Sequence, residues 1–469
     1  MYTPADEKFL NPLRAQLPAR VFKEISENYL REPRGKFKGC GELLCPENTE
    51  HVSIIVSAAA AAGVAVIPYG GGTGLVGGQV SEELENPIVL SLERMNRVRA
   101  IYPFENTMVV EAGVILADAQ AAAEEKDRLF PLSLASQGSA RIGGNLSSNA
   151  GGLNVLRYGN ARELTLGIEA VMPDGQIFNG LTRLRKDNTG YDLRNLLIGA
   201  EGSLGVITAA TLKLFPRPRS RATALMVVPD PTAALSLYAL AGDILGQGIS
   251  AFELINETGL QFLHEKIPHI RQPFEIAPKW SVLVDVGLFQ ENSANQGIEA
   301  LFEAGFAAGL VLDGVIAQNQ AQADQIWNVR ESIPEANRLI GAIASHDISL
   351  PLSAIAEFTN IAPGKLAELG EFRINCFGHL GDGNLHYNVY PPKGGNRDDY
   401  KAIAPKVSRV IHDLVAEREG SFSAEHGVGR MKVGELERYG DPAKLAMMRA
   451  IKTALDPKGI MNPNVMLRR

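Results

Sequence analysis

Two short stretches concentrate the residues of this chain that could do chemistry. The segment "GHLGDGNLHYNV", residues 378–389, sets His379 and His386 on either side of a Gly-Asp-Gly-Asn turn, in a chain with only 8 histidines. The flanking "FRINCF" and "LHYNVY" are strand-like. A four-residue loop at 381–384 predicts that Leu380 faces Leu385 and His379 faces His386. Directly opposed residues share a sheet face, with Cβ atoms about 4.5–5.5 Å apart, a spacing that suits two imidazoles on one metal ion. Asn388, two positions further, points to the same face. The second stretch, "AEHGVG", places Glu425 beside His426. A catalytic site of the zinc type commonly takes three protein ligands and keeps a fourth position open. Glu425 can supply the third ligand, which leaves His426 as a base titrating near ~6.5 when unperturbed. Nitrogen and oxygen ligands suit zinc, manganese or iron. A lone histidine is ordinarily a satisfied core or surface group; the grouping of four is what points to a site.

These residues need elements to hold them. Residues 49–62 are expected to form a helix ending at Gly63, and 64–68 a buried strand. Strand-like "PIVLSL" and "TMVVEAG" follow, then a helix over "LADAQAAAEEK". "LGIEAVMP" is strand-like, with a hairpin turn at 173–178. Beyond Pro216 and Pro218, "RATALMVVPDPTAALSLYALAG" and "KWSVLVDVGLF" with "NQGIEALFEAGFAAG" alternate strand and helix, which predicts an α+β domain with helices on one face of a sheet.

Glycine is abundant, 47 residues, and clustered. "YGGGTGLVGGQ" contains a formal G-x-G-x-x-G, but no helical pattern follows, as a Rossmann loop requires, and the Gly-Lys-Ser/Thr of a Walker loop is missing. What remains is bare backbone whose successive N–H groups can form an anion-binding nest fit for a pyrophosphate. "IGGNLSSNAGG" adds hydroxyls and amides, and "GAEGSLGVIT" adds Gly199, Gly202 and Gly205.

Together, "PYGGGTGLVGGQV", "SQGSARIGGNLSSNAGG" and "LLIGAEGSLGVIT" resemble the FAD-binding domain of the vanillyl-alcohol oxidase superfamily. The match is closest to its D-lactate / D-2-hydroxyglutarate dehydrogenase group and extends over nearly the whole chain. The resemblance implies that Gly70, Gly71, Gly72, Thr73 and Gly74 hold the pyrophosphate of FAD. It places Ser136, Ser139, Gly143, Gly144, Asn145, Ser148 and Asn149 along the ADP and flavin, with Glu201, Gly202 and Ile207 completing the pocket. The first loop has no His or Cys, so FAD is expected to be non-covalent. "GHLGDGNLH" and "EHGVG" resemble the metal-dependent 2-hydroxyacid dehydrogenases. That implies His379, His386 and Glu425 as ligands of a divalent metal, zinc foremost, with His426 as catalytic base and Asn388 on the substrate.

The implied reaction is oxidation of a D-2-hydroxy acid, of the D-2-hydroxyglutarate or D-lactate type. The substrate hydroxyl, acidified by the metal, loses its proton to His426, and hydride passes from the α-carbon to flavin N5, giving a 2-oxo acid. Arg330, in "WNVRESIPEANR", is promoted by the resemblance to a clamp on a substrate carboxylate. Two departures touch this part. The D-2-hydroxyglutarate enzymes carry a Thr four residues after the Arg, where this chain has Pro334, and a Lys fifteen residues after it, where this chain has Ser345. His346 is a candidate to replace the Lys. The alternatives are a flavin oxidase using oxygen directly, a non-catalytic FAD electron-relay subunit and a zinc hydrolase. The electron acceptor implied is an electron-transfer flavoprotein, a quinone or a cytochrome.

Bulk properties agree with a soluble enzyme. Of the 469 residues, 45% are hydrophobic and 21% charged, with a net charge of -7. No basic tract suggests a nucleic-acid partner, and no apolar run reaches the ~18–20 residues of a spanning helix. The 3 cysteines give no disulfide framework and suit a reducing cytoplasm. A cytoplasmic location is therefore expected, with peripheral membrane contact allowed and a homo-oligomer left open. The fold expected is α+β: a two-domain, vanillyl-alcohol oxidase-like FAD-binding fold with an α+β substrate domain. The FAD-binding domain is read at 1–217, the substrate domain with its hairpin at 218–423, and a C-terminal segment at 424–469 that rejoins the first. The active site is expected at the domain interface.

Overall fold

In the structure, a computed structural model that describes residues 2–468, the helix expected at 49–62 is Thr49–Ala62. Asn48 caps it by accepting from the His51 amide, and Gly63 ends it in the left-handed region at φ 73°, where a glycine has no Cβ to clash. Val52, Ile55, Val56 and Ala59 form its buried stripe. The strand that follows is Val66–Tyr69, and it delivers the chain into the first glycine loop.

The chain divides into two units. One comprises the described residues of Met1–Gly152, Tyr158–Arg217 and Glu425–Arg469; the other is Leu153–Arg157 with Pro218–Ala424. In the first unit a four-stranded sheet has the order Phe22–Lys23, Glu42–Leu44, Ile88–Ser91, Val66–Tyr69. Its first pair is antiparallel and the other two are parallel. Leu44, Ile88, Leu90 and Val66 pack with the stripe of Thr49–Ala62 into one core. An antiparallel five-stranded sheet orders Val98–Tyr102, Thr107–Glu111, Val206–Lys213, Thr165–Val171 and Ile177–Gly180. The expected turn after 173 joins its last two strands in sequence. The edge of Val66–Tyr69 opposite Ile88–Ser91 is closed from far along the chain: the Val66 amide donates to the Ile460 carbonyl at 2.9 Å, and the Val66 carbonyl accepts from the Asn462 amide at 2.8 Å.

The second unit is built on a seven-stranded sheet, ordered Asp313–Ile316, Ser220–Val228, Trp280–Leu288, Ile249–Asn256, Arg373–His379, Asn384–Tyr390, Ala344–Ser349. All neighbouring pairs are antiparallel. Helices on one face only were expected; both faces are covered. Pro231–Leu245, Ser293–Ala307, Leu352–Ala367 and Ala404–Ala416 bury their apolar residues on one side. Glu257–Lys266 and Gln320–Ile340 bury Leu260, Phe262, Ile326, Val329 and Ile333 on the other. The strands carry apolar side chains to both sides, as Leu254 and Ile255 do, so a single layer of helices would leave one side in water. Among the described residues no helix is long and apolar enough to cross a membrane.

Candidate active site

In the second unit the two histidines do lie on one face, but not opposite one another. Phe377 opposes His386, while His379 opposes Glu253 on the neighbouring strand. The link between the strands is a short helical turn, Leu380–Asp382, closed by Gly383 at φ 83°. The register therefore differs by two residues from the one expected from loop length. A shift of two preserves the face, and the rings of His379 and His386 stand 5.6 Å apart, edge to face. Asn388 is on the same face and opposes Asn375 and Ser345, while Asp347 opposes His386.

Two partners on this face were not foreseen. Glu253 is 1% exposed. One of its oxygens accepts from His379 Nδ1 at 2.6 Å, the other from Arg330 Nε at 2.8 Å and Nη2 at 2.7 Å. Burial would push this carboxyl up, but the favourable electrostatics and hydrogen bonds it has with His379 and Arg330 outweigh burial and hold it down at about 2. The sequence did carry a signal: an acidic residue inside the apolar run "SAFELIN" must find partners or be excluded from the core. Asp347 is likewise buried, and its carboxylate accepts from Asn384 Nδ2 at 3.0 Å.

Arg330 is buried in the helix Gln320–Ile340, with one edge of its guanidinium spent on Glu253. Among the described residues its Nη1 makes no hydrogen bond. Pro334 lies in the same helix, one turn after it. It lacks the N–H that would otherwise donate to the Arg330 carbonyl. Ser345 is exposed and opposes Asn388, so the position of the family lysine is on the site's face. His346 is not: it points to the other side of the sheet, where Nδ1 meets the Tyr387 carbonyl at 2.8 Å and Nε2 the Ser408 hydroxyl at 3.2 Å. It cannot stand in for the lysine, because successive residues of a strand face opposite ways.

The first unit holds a cleft of about 920 Å³, its open mouth included, lined by the glycine tracts. Gly70, Gly71, Gly72, Thr73, Gly74, Gly143, Gly144, Asn145, Ser148, Glu201, Gly202 and Ile207 all line it. Ser136, Ser139 and Asn149 do not. Ser139 instead backs the first loop: a Cβ on Gly71 would come within 2.1 Å of the Ser139 carbonyl oxygen. Asn149 accepts from the Arg162 amide. Gln79, also missed in the sequence, ties the loop by donating to the carbonyls of Gly72 and Gly74.

Whether this cleft fits a flavin dinucleotide can be judged from its unmet bonds. Among the described residues the amides of Gly71, Gly72, Thr73 and Gly74 donate to nothing, and the buried Nδ2 of Asn145 has no partner. A row of unmet amides is an anion nest, and a buried orphan amide calls for a polar partner. The residues fit a pyrophosphate with a polar ring beyond it. His426 lines the same cleft. Its loop is held by Glu201, whose carboxylate accepts from the amides of Val428 and Gly429, both at 2.7 Å. One oxygen of Glu425 accepts from the Gly152 amide at 3.1 Å. For a metal, the fit rests on donor chemistry: two imidazoles on one face, one of them oriented through Nδ1 by a carboxylate, which is how metal-binding histidines are usually held.

A glycine-walled dinucleotide cleft with an imidazole on its lining defines a flavin-linked oxidoreductase. Comparison with known proteins agrees. The family described as "FAD binding domain" matches residues 42–180, and "FAD linked oxidases, C-terminal domain" matches 217–466. The chain is 36% identical over 429 residues to the mitochondrial D-2-hydroxyglutarate dehydrogenase of Arabidopsis thaliana, spanning 91% of this chain and 75% of the relative. It is 35% identical over 468 residues to the protein of the same name from Rattus norvegicus, spanning 98% and 85%. A structure of p-cresol methylhydroxylase with substrate bound superposes with a TM-score of 0.77 at 15% identity, over 97% of this chain and 96% of the other; that likeness carries the fold. The chain belongs to the FAD-linked oxidases and, among them, to the D-2-hydroxyglutarate dehydrogenase family. The expectation of a cytoplasmic protein is overturned by these relatives. Those from Arabidopsis thaliana, Rattus norvegicus, Bos taurus and Danio rerio are named as mitochondrial, which points to the mitochondrion. The low cysteine count could not separate two reducing compartments.

Proposed function

We propose that this enzyme oxidises a D-2-hydroxy acid of the D-2-hydroxyglutarate or D-lactate type to its 2-oxo acid with the help of a divalent metal. The observation that carries the reading is the presence of His426 on the cleft whose glycine amides await a pyrophosphate, which puts a proton acceptor beside the flavin pocket. Bound FAD supplies hydride acceptance at N5, and the metal, zinc first among those suited, supplies acidification of the substrate hydroxyl. His379, His386 and Glu425 would hold the metal. His426 takes the hydroxyl proton, Asn388 orients the substrate, and Arg330 offers Nη1 to a substrate carboxylate.

Gly70–Gly74 hold the pyrophosphate non-covalently, and Asn145 turns its unmet amide to the flavin or ADP. An electron-transfer flavoprotein or a quinone then reoxidises the flavin. The test is an anaerobic visible spectrum of the FAD- and metal-loaded protein during addition of D-2-hydroxyglutarate, D-lactate and their L-forms. Bleaching of the flavin band by a D-form alone is expected, and its loss after chelation and return with zinc or manganese. Bleaching that is indifferent to chelator would remove the metal from the reaction; none with any of the four acids would sink the substrate class.

A further inference from the structure

The geometry points to Glu253 as a positioning residue: it fixes His379 in the tautomer that turns Nε2 to a divalent metal, and with its second oxygen fixes Arg330. This rests on the metal reading above. Glu253 opposes His379 directly across the strand pair Ile249–Asn256 and Arg373–His379. The side chains of Glu253 and Arg330 are 1% and 5% exposed, so neither can exchange its partner for bulk water. An ionised carboxylate only accepts hydrogen bonds. At 2.6 Å from Glu253, Nδ1 of His379 must be the donor. In the neutral ring the proton then sits on Nδ1 and the lone pair on Nε2, the nitrogen a cation takes. Both Arg330 bonds fall on one oxygen of Glu253, so the other, buried with it, has the imidazole of His379 as its partner. One carboxylate thus sets both a metal ligand and the substrate clamp, on two different elements.

Glu253→Gln tests this because the swap is nearly isosteric and reverses one bond. Arg330 offers only donors, so it claims the amide oxygen. The amide NH2 is left facing Nδ1, which must become the acceptor, and the ring proton moves to Nε2, where it blocks the metal. In the FAD-loaded, chelator-stripped protein, calorimetric titration with Zn2+ and with Mn2+ is expected to give an affinity about 10–100-fold below the parent. The 15N signals of His379, assigned by their loss in His379→Gln, are expected to switch from the Nδ1–H to the Nε2–H pattern. Glu253→Asp, which keeps the charge, is expected to restore the Nδ1–H pattern. A folded Glu253→Gln protein with the parent's tautomer and an affinity within about twofold of it would overturn the proposal. So would an Nε2–H pattern in the metal-free parent, a measurement that needs no variant. A parent that shows the Nδ1–H pattern yet takes up neither ion would instead overturn the metal reading, and the role of Glu253 toward a metal would fall with it.

Discussion

Glu253 has a consequence for stability that is separate from any ligand. Its folded value, about 2, is depressed from an ordinary 4.5. A carboxyl depressed in this way contributes stability that is full above its unfolded value and is lost as the pH falls through the folded one. Breaking a buried ion pair by removing one charge costs about 3–5 kcal/mol. The metal-free parent is therefore expected to be more stable than Glu253→Gln by about that amount at neutral pH. The gap should close between pH 4.5 and about 2, as followed by urea unfolding at a series of pH values. A gap that stays constant across that window would mean that something other than the carboxylate's charge holds Arg330 in place. This residue was within reach of sequence reasoning only as an oddity, a charge in an apolar run. Its partners lie 77 and 126 positions away, and no local pattern encodes that.

At the scale of elements, the hairpin 373–390 shows what could and could not be read. Alternation gave the correct face for His379, His386 and Asn388, because period 2 survives any even slip. The register was not readable: it depends on the turn Leu380–Asp382 and on Gly383, whose backbone is left-handed. Gly383 is also packed tightly, since a Cβ there would come within 2.3 Å of the Leu350 carbonyl oxygen. Gly383→Ala is expected to cost about 1–2 kcal/mol for the backbone alone, and more for the clash. The turn would be forced to move. Denaturant unfolding should show the loss, and metal titration a weakened site at the hairpin's end; parent-like values in both would mean that the turn does not set the histidines. The one-sided helix layer was misread for a different reason. Short apolar strands buried on both faces have no alternation to report which face is covered.

For the molecule as a whole, the two units have separate hydrophobic cores. Leu44, Ile55 and Val66 belong to one, Phe252, Val284 and Tyr387 to the other. A ligand stabilises what it binds, so removal of each cofactor should be felt locally. Hydrogen exchange after FAD removal is expected to rise in 66–79, 142–148 and 201–207 and to leave 220–228 and 280–288 unchanged. Chelation is expected to do the reverse, raising exchange in 373–390. A uniform response to either removal would show that the cores unfold as one.

The strand that feeds the first glycine loop is bonded along its outer edge by residues 460 and 462. A ribosome makes these residues some four hundred positions after the strand itself. During synthesis, with domains tending to fold in the order they emerge, the substrate unit has all its strands before that edge is covered. The strand is paired on its inner side with Ile88–Ser91 long before its outer edge is covered, so a nascent chain carries that edge open while the substrate unit is being made. Such an edge is a template for pairing with other chains, and residues 460 and 462 are what close it within this chain.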